Sequence, residues 1–270
     1  MLTTIAIRLG ADAGALASIA LRSIPGGTFL MGSSHTERGH DPDVEAPTFR
    51  CTLDFDWFMG VFPVTQSQLH AAVSGCRFSC APSLFNTLPD SPERPVDSIS
   101  WSASCDVVNI LNARFSKELP LGYVFSLPTE AMWEYACRGG TSSRYYCGDS
   151  DKCLLECGWC AANSGGSSHP VGQKKANPFG LYDMHGNVSE WCLDEFSAYP
   201  SDDQVNWRGK EGSGLRVVRG GNWRASPSSG GLRSASRCEL DSTAEHPFVG
   251  FRVCAAPVDK LTSSIGHAPA

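Results

Sequence analysis

Glycine and proline interrupt this chain so often that only three stretches have room for a helix of two turns or more. There are 27 Gly and 17 Pro among 270 residues, spread through the whole length. Glycine favours backbone conformations that helices and strands avoid, and proline removes a main-chain donor. The first stretch is Thr65 to Val73, where Thr65 suits an N-cap and Leu69 and Val73 share one face. The second is Ser100 to Phe115, with Trp101, Cys105, Val108 and Phe115 at near-helical spacing behind a Ser100 cap. The third is Pro128 to Arg138: Pro128 suits the first turn, Glu130 the positive end, and Gly139–Gly140 stop the helix. Short apolar runs at Thr28–Met31, Phe55–Met59, Val217–Arg219 and Gly250–Val253 predict strands. The result is a single α+β domain over residues 18–257 with much irregular loop, a loose tail at 1–17 and another at 258–270.

Composition removes several classes. Hydrophobic residues at 41% and charged residues at 19% exclude a disordered chain or a coiled coil. Twenty-two basic against 28 acidic residues leave a net charge of −6, and no Lys/Arg stripe offsets it, so nucleic acid is not an expected partner. The apolar run Ala13–Leu21 falls far short of the ~20 residues that span a bilayer. The first 22 residues lack the ordered regions of a signal peptide. A cytoplasmic protein is expected, or a cell-surface one if an export segment was trimmed before Met1. Of 12 cysteines, only Cys147, Cys153, Cys157 and Cys160 cluster; plain thiols, an internal disulfide and a zinc site all remain open there.

No catalytic residue or catalytic cofactor is predicted from the residues themselves. G-x-S-x-G, a Walker loop, G-x-G-x-x-G and H-E-x-x-H are all missing. The histidines at 35, 40, 70, 169, 185, 246 and 267 are scattered, and the acid pair Asp202–Asp203 sits in loop-like sequence.

Longer segments are more informative. They are Ile24–Ser33 (IPGGTFLMGS), Phe62–Ser67 (FPVTQS), Arg94–Ser102 (RPVDSISWS) and Leu127–Gly140 (LPTEAMWEYACRGG). Asn177–Cys192 (NPFGLYDMHGNVSEWC), Arg219–Arg224 (RGGNWR), Arg233–Arg237 (RSASR) and Gly250–Cys254 (GFRVC) continue the series. In order and spacing this set resembles the formylglycine-generating enzyme family, the sulfatase-modifying-factor domain, over about residues 24–255. The resemblance implies a C-type lectin-like fold of that subtype.

Fold does not carry function, so the site is compared residue by residue. Catalytic members of the family bind copper through two cysteines, five residues apart, just after the R-G-G segment. Here those places hold Ala225 and Gly230, and no cysteine lies between Cys192 and Cys238. Neither Ala nor Gly offers the thiolate that ligates copper and carries the redox chemistry. The resemblance further implies a structural calcium on the side chains of Asp183 and Glu190 and the carbonyls of Gly186 and Val188. The alternative is that these carboxylates bind loop amides instead. Calcium-bridged sugar recognition has no support, because Leu88-Pro-Asp90 and Gly221-Asn-Trp223 match neither half of the lectin signature.

Residues 223–249 resemble the variable region of proteins diversified by diversity-generating retroelements, which is closed by a G-F-R segment. Anchors such as Arg219, Trp223, Arg233, Arg237 and Arg252 alternate with an incoherent mix. Codons ending in C can encode nearly all of that mix, as mutagenesis of Asn codons would leave it; Glu239 and Glu245 would need another origin. An ordinary Ser/Gly-rich loop has a similar composition. Along Arg233–Arg237, alternation places Ser234 and Ser236 opposite Ala235. The reading is a non-catalytic, monomeric protein that binds a protein or other macromolecular ligand. Trp223 would pack at the base, with Arg219, Arg233, Arg237 and Arg252 bracing the backbone. Arg224, Ser226, Ser228, Ser229, Leu232, Ser234, Ser236, Glu239, Asp241, Thr243, His246 and Phe248 would meet the ligand. An oxidase and an accessory domain of a larger complex are the alternatives.

Overall fold

A computed structural model describes residues 2–9 and 17–261, and each of the three predicted helices forms there behind a side-chain cap. Strands β1 (Thr4–Arg8), β2 (Ser18–Ile24) and β3 (Gly27–Met31) precede helix α1 (Pro42–Glu45). Strands β4 (Phe49–Leu53) and β5 (Trp57–Gly60) lead to α2 (Gln66–Val73) and α3 (Trp101–Phe115). Next come β6 (Tyr123–Ser126), α4 (Glu130–Arg138) and α5 (Asp151–Cys157). Strands β7 (Ser189–Glu195), β8 (Gln204–Val205), β9 (Leu215–Arg219) and β10 (Arg237–Asp241) follow. The chain then forms β11 (Val249–Phe251), β12 (Cys254–Pro257) and α6 (Val258–Leu261).

Thr65 closes a capping box with Gln68, and Ser100 accepts the Ala103 amide. Thr129, one residue after Pro128, caps α4, and left-handed Gly139 ends it. No apolar period announces α5. Only Leu154 and Cys157 are buried on it, and Ser150 caps it. Just before and within this helix Cys147 bonds to Cys153, which resolves the cysteine cluster; Cys157 and Cys160 are buried free thiols.

The strands form sheets in the orders β1-β2-β5-β12-β6, β10-β9-β7-β11 and β3-β4-β8. Alternation along the four-stranded sheet divides the core. Cys192 and Val217 face a cluster with Trp57, Trp133 and Met184, on which α4 lies. Trp191 and Val218 face a second cluster with Leu111, Phe125 and Phe251, which α3 covers. Strands β7 and β9 beneath the site are therefore buried on both faces.

Both tails need correction. Residues 4–8 pair with β2 from Thr4↔Arg22 to Arg8↔Ser18, because Ile7 and then Leu9 can be buried against the α3 side of the core. Val258–Leu261 is helical with Leu261 buried. The remainder of the expected tails, residues 1, 10–16 and 262–270, lies outside the described residues. No helix among those described is long and apolar enough to cross a membrane.

Candidate functional site

The stretch singled out in the sequence is the excursion between two neighbouring antiparallel strands. Strand β9 ends at Arg219, and β10 returns beside it from Arg237↔Arg219 to Asp241↔Leu215. The excursion opens at Gly220 and Gly221, with φ of 91° and 66°. A Cβ on Gly221 would stand 2.6 Å from the Gly231 carbonyl oxygen, so glycine permits the two ends of the excursion to approach.

Buried arginines hold this irregular backbone. Arg219 donates to the carbonyls of Ala235 (2.8 Å), Ser236 (2.6 Å) and Ser234 (3.1 Å). Arg233 donates to Gly230 O and Arg237 to Val44 O. Arg252 reaches the carbonyls of Gly60 and Tyr182. The guanidinium fork suits this task because it presents several donors in one plane. Each also meets a glutamate that the sequence did not single out as its partner: Arg219 with Glu134, Arg233 with Glu45 and Glu37, Arg237 with Glu130, Arg252 with Glu190. Burial pushes the Glu45 carboxyl up, but the Arg233 guanidinium and the Ser33 hydroxyl outweigh it and hold the group below its ordinary value.

The excursion borders a cleft of about 740 Å³. Its apolar lining includes Val218, Leu240, Phe248 and Val249; its polar lining includes His40, Asp41, Ser189, Asn222, Ser229 and Ser236. Of the residues expected to meet ligand, Ser229, Ser236, His246 and Phe248 line it, with the His246 and Phe248 rings stacked at 5.3 Å. Arg224, Ser226, Ser228, Asp241 and Thr243 are exposed outside the lining, and Glu239 is half-buried. The Arg224 guanidinium lies 5.7 Å from the Trp223 ring and 5.8 Å from that of Phe248. Trp223 is buried at the base, edge-on to Phe85.

Two expected ligand residues point inward. Leu232 packs with Tyr145, Leu154 and Cys160, and Ser234 is fully buried beside the Cys137 thiol. Residues 231–235 are consecutive turns rather than a strand, so alternation does not apply to them. Within β10 it does: Cys238 and Leu240 line the cleft and were not anticipated. The wall formed by residues 39–45 also went unforeseen; its one local signal is Asp41-Pro42, a helix start in which Asp41 caps α1.

Among the described residues, the family's cysteine pair is not present in the cleft. Ala225 and Gly230, at the places of the family's cysteine pair, both line it. Cys238 is the one sulfur-bearing residue in the lining, and burial pushes its thiol up, with Glu239 adding to the effect. Ser33 Oγ donates to Glu45 at 2.5 Å and meets His40 Nδ1 at 2.8 Å, so this hydroxyl is fixed on a carboxylate rather than activated by the imidazole.

The two carboxylates expected to hold calcium are engaged by donors of the protein itself. Glu190 accepts from Arg252 on both oxygens and from Trp133 Nε1 at 2.8 Å. Asp183 accepts from the Gly172 amide and Asn187 Nδ2. Burial raises its carboxyl to about 6, the amide and Arg252 opposing. A dication would have to displace a guanidinium to reach Glu190. The Gly186 amide bonds Gly220 O, and the Val188 side chain is buried.

Residues 18–257 match the family described as the Sulfatase-modifying factor enzyme 1-like domain. The chain is 31% identical over 260 residues to serine/threonine-protein kinase pkn1 of Chlamydia caviae, covering 87% of this chain but 37% of that protein. It is 30% identical over 215 residues to the formylglycine-generating enzyme of Thermomonospora curvata, covering 72% of this chain and 66% of the enzyme. Among solved structures, Treponema denticola variable protein 1 superposes with a TM-score of 0.75 at 22% identity, over 95% of this chain and 99% of that one. The fold is the C-type lectin-like fold.

Proposed function

This chain belongs to the sulfatase-modifying factor enzyme 1-like family, and from that premise we propose that it binds a ligand without transforming it. The observation that carries this reading is the cleft itself: where an oxidase needs two thiolates, Ala225 and Gly230 stand in the wall. The lining otherwise holds a single cysteine, Cys238, exposed on β10. We further assign the chain as the diversified variable protein of a retroelement system, with residues 223–249 receiving a protein or other macromolecular ligand. In favour are the amino acids of the mix, nearly all of which codons ending in C can encode, and the exposure of Arg224, Ser226, Ser228, Asp241 and Thr243 around an ordered cleft. A surface that is already ordered loses less entropy when it binds.

The oxidase alternative is tested by incubating the copper-loaded protein with a cysteine-containing sulfatase peptide. No formylglycine is expected, and any turnover overturns the non-catalytic reading. Diversification is tested in the source genome: a reverse transcriptase beside a template repeat matching codons 219–253 is expected. Identical sister copies across that stretch would refute it.

A further inference from the structure

Three cysteines meet at one place outside the cleft. Cys153 and Cys157 lie one turn apart on α5, and Cys147 faces them from a tight hairpin closed by mutual Tyr145 and Gly148 main-chain bonds. Cys147 is bonded to Cys153, yet the Cys157 sulfur stands 3.3 Å from the Cys147 sulfur. Cys147 is exposed, Cys153 half-buried and Cys157 buried. One accessible sulfur is thus in contact with two alternative partners, one of them a free thiol.

We propose that Cys147 exchanges its bridge between Cys153 and Cys157, re-anchoring the hairpin from the first turn of α5 to its last. Cys157 gives its proton to water and attacks the Cys147 sulfur. The Cys147–Cys157 bond forms as the Cys147–Cys153 bond breaks, and Cys153 leaves as a thiolate that water protonates. One disulfide and one thiol are present before and after, so no oxidant or reductant is consumed. Burial pushes the Cys157 thiol up to about 12, which keeps its thiolate scarce and the exchange slow at neutral pH.

The exchange bears on the display excursion because the hairpin supports it. Arg144 donates to the Pro227 carbonyl at 3.2 Å, and its own carbonyl accepts the Ser234 amide at 2.9 Å. Leu154 of α5 packs against Leu232. A hairpin anchored at the other end of α5 would carry Arg144, and with it the turn at residues 226–229, to a different position.

The test uses the full chain carrying Cys153→Ser, equilibrated with glutathione and its disulfide, quenched in acid, alkylated and mapped by mass spectrometry. A Cys147–Cys157 linked peptide is expected, with loss of alkylation at both residues. Folded variant with both residues alkylated overturns the proposal. If the variant does not fold, wild-type protein in the same buffer at about pH 9, where more thiolate is present, must contain both linked peptides. A Cys147–Cys153 peptide alone overturns it. In the same samples, amide exchange at residues 226–229 is expected to differ between the two bridged forms; identical exchange overturns the coupling to the excursion.

Discussion

Arg219 and Glu134 form an ion pair in which neither side chain reaches solvent. Their sequence separation is 85 residues, and the pair ties α4 to the strand from which the excursion departs. Removing one partner of a buried pair leaves a charge without compensation, which costs about 3–5 kcal/mol. Glu134→Gln is therefore expected to lower the urea midpoint severely, with Glu130 at 3.7 Å from Arg219 providing partial relief. Arg219→Lys should also destabilise, since an ammonium cannot serve three carbonyls and a carboxylate together. A midpoint within error of wild type for either variant would contradict this account.

Within the excursion, position decides tolerance. Simultaneous replacement of Arg224, Ser226 and Ser228 by other polar residues is expected to leave the melting temperature within a few degrees, because exposed changes cost within about 0.5 kcal/mol each. Leu232→Ala, in contrast, opens a cavity against Tyr145 and Leu154 and is expected to cost about 2–5 kcal/mol. Thermal melts of the two variants side by side check the contrast.

Chelation distinguishes a calcium-bearing loop from one held by an ion pair. With both Glu190 oxygens on Arg252, EDTA is expected to leave the melting temperature unchanged. Glu190→Gln should lower it equally with and without added calcium. A fall on chelation, reversed by calcium, would show that the loop rearranges around a metal.

A pH dependence is predicted at Asp97. Burial raises this carboxyl from 3.8 to about 6, against the Leu84 amide and the Ser98 hydroxyl. A folded-state value above the unfolded one means that the native state binds the proton more tightly. Stability is therefore lost as pH climbs from about 4 to about 6, by roughly 3 kcal/mol in total. Asp97→Asn mimics the protonated form and can keep the acceptor for the Leu84 amide. It should match wild type near pH 4 and exceed it at pH 7, as measured by denaturant titration at both values.

Much of this was legible in the residues. Caps at Thr65 and Ser100 and the left-handed stop at Gly139 are local signals, and local signals survive folding. The bracing of the excursion by Arg219 and Arg233 was also readable, whereas Arg237 and Arg252 hold carbonyls outside it, at Val44, Gly60 and Tyr182. Their glutamate partners were not: Arg233 and Glu45 lie 188 residues apart, and no spacing rule connects them. Glu130 suited a helix start by sequence, yet it also receives Arg237. Ser234 lies inside because alternation has no meaning along a run of turns, and Leu232, expected at the ligand as a member of the mix, is buried against Tyr145 and Leu154 by contacts distant in sequence. Helix α5 was hidden because a disulfide and a cap define it, with little apolar face to betray it.

The grip of Arg219 on residues 234–236, and of Arg144 on Pro227, ends at carbonyl oxygens. Every amino acid carries the same carbonyl, whatever hangs from its α-carbon. Such a clasp is blind to identity, so at half-buried Pro227 and Ser236 a new side chain leaves it intact, whereas burial still constrains Ser234 and Ala235.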